Sequence, residues 1–154
     1  MARLVENEVL LPEIERMLNE GKQVRFTPTG VSMRPWIEGG RDAVVLHRAD
    51  KEVRAGQVLL CRVGERFVLH RLLRIAADGT LVLQGDGNLV GTEQCRREDV
   101  MGRAVEVYNA RGRRKWLPES TWWLRLPVVV RKYGLKIYRR IATSPSQPRH
   151  VPEA

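Results

Sequence analysis

The spacing of the apolar residues changes near residue 21 from a helical period to a strand-like one. Within residues 6–20, apolar side chains recur near helical spacing at Val9, Ile14, Met17 and Leu18. Gly21 follows as a stop signal. We therefore predict a short N-terminal helix with Pro12 in its first turn, where a proline loses no helical hydrogen bond.

Beyond residue 21 the apolar positions fall into short runs that are typical of strands. The runs cover residues 24–26, 43–47, 58–63, 66–75, 80–84 and 100–108. Turn-forming pairs such as Gly39-Gly40 and Asp78-Gly79 separate them. Because the runs lie close together with no helices between them, they predict a mainly β domain of short hairpins rather than an α/β sheet.

The composition changes near residue 110. The basic run RGRRK at 111–115 precedes three of the four tryptophans, which are Trp116, Trp122 and Trp123. A second helical stripe then follows, with Leu126, Val130, Tyr133, Ile137 and Ile141 on one face and Lys132, Lys136, Arg139 and Arg140 largely on another. This pattern predicts a basic amphipathic C-terminal helix, which Pro127 opens.

These patterns predict four segments along the chain. They are an N-terminal helix (1–22), a β domain (23–110), a basic aromatic segment (111–142) and a tail (143–154). The tail, TSPSQPRHVPEA, holds three prolines and is expected to be disordered.

The net charge of +9 lies in the C-terminal quarter of the chain. Residues 1–110 carry 16 basic and 16 acidic residues, whereas residues 111–154 carry 11 basic residues against two glutamates. Nucleic-acid binding is therefore not expected of residues 1–110, which we call the body. Tryptophans beside a basic amphipathic stretch favour peripheral contact of residues 116–141 with an anionic membrane, with nonspecific nucleic-acid contact or docking on the body as alternatives.

Several classes of protein are disfavoured. No run approaches the roughly 18 apolar residues of a membrane-spanning helix, and four glutamates interrupt the N-terminal apolar stretch, which argues against a secretory signal peptide. Cys61 and Cys95 fit neither a zinc site nor a disulfide framework, so reduced thiols are expected. We predict a cytoplasmic protein, at most peripheral at the inner face of the membrane, without metal or cofactor.

Three segments carry residues that could perform chemistry. The segment GVSMRP (30–35) places Ser32 in a tight turn after a strand, which is how a nucleophile can be presented. His70 lies inside an otherwise apolar strand, and GDGN (85–88) closes the next hairpin. Taken singly, each also fits an ordinary turn serine, a satisfied strand histidine or a structural turn.

The ordered set GVSMRP, AGQVLL, FVLHRLLRI and LVLQGDGN resembles the S24/S26 peptidases, a group that holds the type I signal peptidases and the self-cleaving LexA-like repressors. The resemblance covers roughly residues 24–108. It implies a LexA/signal-peptidase-like fold and a serine endopeptidase with Ser32 as nucleophile. Where bacterial members carry a lysine base, this chain has His70-Arg71, so it resembles the Ser-His branch of the endoplasmic-reticulum type.

The same resemblance implies further site residues. Some signal peptidases have a serine two residues before the nucleophile, where this chain has Gly30. The oxyanion site would then use backbone amides such as that of Ser32, with Gly30 and Met33 beside the substrate. The third catalytic residue stays open among Asp86, Glu93 and Asp99, with Asp86 ranked first.

Two departures and one near-match bear on the resemblance. Gln57 stands where the family usually has an aspartate, and we expect it to be structural. After GDGN the chain continues as LVGTEQCRREDVMG, which is not the family's usual Asp-containing segment. His47 is also followed by arginine, but it precedes the expected strand and is expected at the surface.

The predicted function is therefore a serine-type endopeptidase acting on a peptide or protein substrate. A non-catalytic peptide- or partner-binding module on the same fold is the main alternative. A LexA-like regulator is a third, which the acidic N-terminal helix and the lack of a helix-turn-helix segment disfavour. The identity of the substrate is not indicated.

Overall fold

The computed structural model describes residues 7–142, which form one curled antiparallel sheet with helices at both ends of the chain. The strands are β1 (Val24–Phe26), β2 (Ala43–His47), β3 (Val58–Val63), β4 (Arg66–Ile75), β5 (Leu81–Gln84), β6 (Glu93–Cys95), β7 (Val100–Tyr108) and β8 (Arg114–Lys115). The helices are α1 (Asn7–Asn19), α2 (Trp122–Arg125) and α3 (Val128–Ala142), with a 3-10 turn at Arg97–Asp99. The prediction of a mainly β fold with short helices is confirmed.

The strand order is β1-β2-β7-β3-β4-β5-β6, and β8 pairs with β7. The strands β3 to β6 follow one another as antiparallel neighbours, which local turns can join. β7 instead returns across the sheet and pairs with both β2 and β3. This long-range strand joins the β1–β2 pair to the hairpins, so residues from both ends of the β region meet in one sheet.

Two apolar clusters lie on the two faces of the curled sheet. Adjacent residues of a strand point to opposite faces, and Leu59 and Leu60 in β3 accordingly belong to different clusters. The first cluster includes Ile14 and Leu18 of α1, both almost fully buried. Gly102 in β7 allows this packing, because a Cβ there would lie only 2.7 Å from Leu18 Cδ1.

Some predicted details differ from the structure. Pro12 was predicted in the first turn of the N-terminal helix. It lies instead in the interior of α1, which begins at Asn7. The short strands β6 and β8 and the helix α2 were not predicted, and β5 begins one residue later than expected. Cys61 and Cys95 are both free and buried.

Two further expectations concern the ends of the chain and the membrane. The predicted disorder of 143–154 lies outside the described residues. Among the helices of residues 7–142, none combines the length and the apolar character that crossing a bilayer requires.

Candidate active site

Ser32 lies half-buried in a turn that is fixed by the two buried side chains after it. Met33 and Ile37 anchor the turn in the first apolar cluster, and the Ile37 N–H donates to the Met33 carbonyl over 3.0 Å. Gly30 has a φ of 86°, which glycine adopts without strain. A Cβ on Gly39 would overlap the Gly30 carbonyl oxygen, so the chain passes closely over itself here. The serine is therefore held on a rigid support.

His70 occupies the middle of β4, where its side chain is only 6% exposed. Burial lowers the pKa of the imidazole below its ordinary value; the negative charge of Glu93 opposes this effect and the positive charge of Arg66 adds to it. Since burial is the largest of these effects, His70 is held in the neutral form at neutral pH. The neutral imidazole is the form that can accept a proton from a serine.

The loop Gly85–Asn88 packs against both residues. The Gly87 N–H donates to the Ser32 carbonyl over 2.8 Å. A Cβ on Gly85 would overlap the Ser32 carbonyl oxygen and would lie 3.1 Å from His70 Nε2. Both atoms are thus within contact range of one point, and only glycine leaves them this room. The sequence motif GDGN is therefore the segment that brings the serine turn and the histidine strand together.

Ser32 and His70 line one cavity of about 320 Å³, which we call the Ser32–His70 cavity. Thr29 and Asn88 are further polar residues in its wall, and an ion pair between Arg66 and Glu93, at 2.7 Å, lies on its wall too. The apolar part of the lining includes Phe26, Met33, Ile37, Leu60 and Leu69. A cleft that combines an apolar wall with a few polar groups is typical of a ligand site.

The structure does not place Asp86 beside the imidazole as the predicted third catalytic residue. Its carboxylate is fully buried and binds the Arg71 guanidinium, with Nε to Oδ1 at 2.8 Å and Nη2 to Oδ2 at 2.7 Å. Because Arg71 directly follows His70 in β4, the two side chains point to opposite faces. The Asp86 carboxylate therefore lies on the side of the strand away from the imidazole.

The other two acidic candidates, Asp99 and Glu93, are bound to partners other than His70. Asp99 accepts the Arg96 N–H over 2.9 Å at the 3-10 turn, and it does not line the cavity. Glu93 lines the cavity but pairs with Arg66. Within residues 7–142, His70 Nδ1 is buried without a hydrogen-bond partner. Ser32 and His70 thus line one cavity, and no described carboxylate orients the imidazole.

The remaining predicted positions are accounted for. Gly30 and Met33 both line the cavity next to Ser32. Gln57 accepts the Arg54 N–H through its side-chain oxygen over 3.0 Å, a local structural contact. His47 lies in β2, which β7 and β3 separate from β4, and it does not line the cavity. His70 is therefore the histidine that shares the site with Ser32.

The sequence did not indicate that the C-terminal segment holds the loop Gly85–Asn88, which we call the site loop, in place. Trp123 donates its indole N–H to the Asp86 carbonyl over 2.8 Å. The buried Arg131 donates to the carbonyls of Asn88 and Leu89 over 3.0 and 3.1 Å. These donors satisfy loop carbonyls that lie outside the strands and therefore have no partner in the sheet. One feature of the sequence could have indicated this contact: Arg131 lies off the helix face that the other basic residues of α3 share.

No protein-family model, no curated protein and no solved structure matches this chain. Within the described range, no three His, Cys, Asp or Glu side chains come together as metal ligands would.

Proposed function

We propose that this protein is a serine endopeptidase in which Ser32 is the nucleophile and His70 the general base. The observation that carries the proposal is the convergence of Ser32, His70 and the Gly85–Asn88 loop on one cavity. Their order in the sequence, which resembles that of the S24/S26 peptidases, supports the same assignment.

The first step forms an acyl-enzyme. His70 takes the proton from the Ser32 hydroxyl while the hydroxyl oxygen attacks the carbonyl carbon of the peptide bond. The carbonyl electrons move to the oxygen, which becomes an oxyanion. When the C–N bond breaks, the imidazolium returns its proton to the departing amine. Water then repeats the sequence against the ester and releases the acid product and free Ser32.

Backbone amides of the serine turn are suited to stabilise the oxyanion. The hydrogen bonds within the turn run from Arg34 N–H to the Val31 carbonyl and from Ile37 N–H to the Met33 carbonyl. Among the backbone hydrogen bonds described for residues 7–142, none is donated by the Ser32 N–H, and we assign this amide to the substrate oxygen. A single removed oxyanion donor typically costs about 100- to 1000-fold in turnover, so this amide is a substantial part of the mechanism.

The cavity wall indicates the kind of peptide that would fit. Met33, Ile37 and Leu69 form an apolar surface beside Ser32, which favours an uncharged side chain next to the cleaved bond.

A fluorophosphonate probe tests the proposal directly, because it forms a covalent bond with an activated serine. We expect the probe to label the wild-type chain at Ser32, as located by peptide mass spectrometry. Ser32→Ala should abolish labelling. Ser120→Ala is the matched control, since Ser120 is exposed and its side chain serves only the Trp122 N–H among described contacts. Labelling that survives Ser32→Ala would overturn the assignment.

A peptide-binding module without catalysis is the second candidate. The observation in its favour is the unpartnered Nδ1 of His70 among described residues, since catalytic histidines are usually oriented by a hydrogen bond there. Binding of an uncleaved peptide in the Ser32–His70 cavity, together with no labelling of Ser32, would favour this module over the enzyme.

A further inference from the structure

Among the residues that the structure describes, α3 packs against the rest of the chain through one side. Arg131 is 4% exposed and binds the site loop, as described above. A Cβ on Gly134 would lie 2.9 Å from the Trp123 ring, so the glycine permits close packing there. The Tyr138 hydroxyl donates to Glu38 over 2.9 Å. These three residues follow spacings of three and four and therefore define the face that contacts the body.

A second face of α3 is apolar and exposed. It consists of Val130, Tyr133, Ile137 and Ile141, which are 49%, 62%, 58% and 72% exposed, and we call it the α3 apolar stripe. The spacing of three, four and four residues places them along one line. No part of the described chain, residues 7–142, covers this line, although the sequence pattern alone was equally compatible with docking on the β domain. An apolar row of this kind is costly to leave in water.

A third face, beside the stripe, is basic. Lys132, Lys136, Arg139 and Arg140 are all exposed, and no acidic residue occurs in α3. Trp122 and Trp116, 42% and 68% exposed, lie just before the helix in the chain. An apolar stripe, an adjacent row of cations and nearby exposed indoles occur together in helices that lie in the headgroup region of a bilayer.

We propose that α3 lies flat on an anionic lipid bilayer, with the α3 apolar stripe in the acyl boundary and the basic face among the headgroups. The charge selects this occupant. A second copy of the chain would bring two strongly basic helices together, which repel each other. A nucleic acid would use the cations but would leave the apolar stripe in water. An anionic bilayer satisfies both faces at once.

This surface is independent of the proposed peptidase activity, because Ser32 takes no part in it. It nevertheless lies next to the site, since Arg131 of the same helix binds the carbonyls of Asn88 and Leu89. A bilayer-bound α3 would hold the Ser32–His70 cavity close to the membrane surface.

The test is co-sedimentation of the full chain with vesicles of equal parts phosphatidylglycerol and phosphatidylcholine, and with vesicles of phosphatidylcholine alone. We expect binding to the anionic vesicles that weakens as salt rises. Ile137→Glu should reduce partitioning by about tenfold or more, because it removes an exposed apolar side chain that the bilayer would bury. Ile75→Glu is the matched control: Ile75 is 48% exposed on β4, remote from α3 in the chain, and should bind like wild type.

A charge-reversal pair completes the test. Lys132→Glu with Lys136→Glu should weaken binding at least about fivefold for each charge removed, whereas the control Lys51→Glu with Arg54→Glu makes the same change in net charge elsewhere and should have little effect. Ser32→Ala should bind vesicles like wild type, which separates this proposal from the peptidase. The proposal would be overturned if vesicle binding is absent or if it survives Ile137→Glu. If the chain then binds duplex DNA through Lys132 and Lys136, the basic face would be assigned to nucleic acid.

Discussion

The Arg71 guanidinium and the Asp86 carboxylate form a fully buried two-point ion pair directly behind the strand residue His70. Arg71 Nη1 also donates to the Gly56 carbonyl over 2.7 Å and to the Pro118 carbonyl. One arginine thus ties together β4, the site loop, the turn before β3 and the segment before α2. The Asp86 side chain supports the loop from behind, and its partner is the arginine, not the imidazole.

Replacing Asp86 separates this supporting role from a catalytic one. Asp86→Asn leaves the buried Arg71 charge without its counter-charge, and we expect the free energy of unfolding to fall by about 3–5 kcal/mol. Urea denaturation measures this loss. Because Asp86 does not contact His70, the pH midpoint of Ser32 labelling should stay where it is in the fraction that remains folded. A midpoint that moves by a full pH unit would instead show that Asp86 acts on the imidazole.

The pH dependence of Ser32 labelling should follow the neutral form of His70. Burial lowers the imidazole pKa from its ordinary value of about 6.5, so labelling should rise with pH in one step centred below that value and then stay level. The free energy of unfolding should change in the same pH range. The unfolded chain protonates His70 near pH 6.5 and the folded chain only at lower pH, so stability falls as the pH drops through this range. A labelling rate still climbing above pH 8 would contradict the prediction.

The two histidines followed by arginine provide a matched pair. His70→Ala should reduce the labelling rate of Ser32 by about 100-fold or more, since it removes the base. The fold should persist, because the replacement is apolar and lies in a buried strand. His47→Ala should have little effect on labelling, as β7 and β3 lie between β2 and β4. The reverse pattern would mean that the base is assigned to the wrong strand.

Gly85→Ala tests the close approach of the site loop. The added methyl group would overlap the Ser32 carbonyl oxygen and press on His70 Nε2, so it should displace the loop and lower Ser32 labelling by about tenfold or more. Gly79→Ala is the control, in the β4–β5 turn. Its φ of 86° makes the change strained, but nothing lies within 4 Å of the new Cβ. It should cost about 1 kcal/mol of stability and leave labelling unchanged.

Trp123→Phe tests whether the C-terminal segment positions the loop. The change keeps an aromatic ring but removes the indole N–H that binds the Asp86 carbonyl, so labelling of Ser32 should slow several-fold and stability should fall by about 1 kcal/mol. Trp122→Phe is the neighbouring control, because Trp122 is partly exposed and no bond to the loop is described for its ring nitrogen. Equal effects of the two changes would argue that Trp123 contributes only to packing.

The strand bounds show how far local pattern reaches. The predicted runs at 43–47, 58–63, 66–75 and 100–108 coincide with β2, β3, β4 and β7, because short runs rich in apolar residues are bounded there by turn-forming residues. The missed strands β6 and β8 are two or three residues long, with the sequences EQC and RK. Such segments carry no period of their own, and they become strands because β5 and β7 offer them a hydrogen-bonding edge.

The sequence by itself determined the mainly β class, the positions of Ser32 and His70 on a turn and a strand, and the concentration of positive charge after residue 110. Those are local properties of period and composition. Only the tertiary structure decided that Asp86 binds Arg71, that Arg131 and Trp123 hold the site loop, and that the stripe of α3 faces away from the body. The partner of a buried charge and the covered side of a helix depend on which distant segments meet, and that is set by the packing of the whole chain.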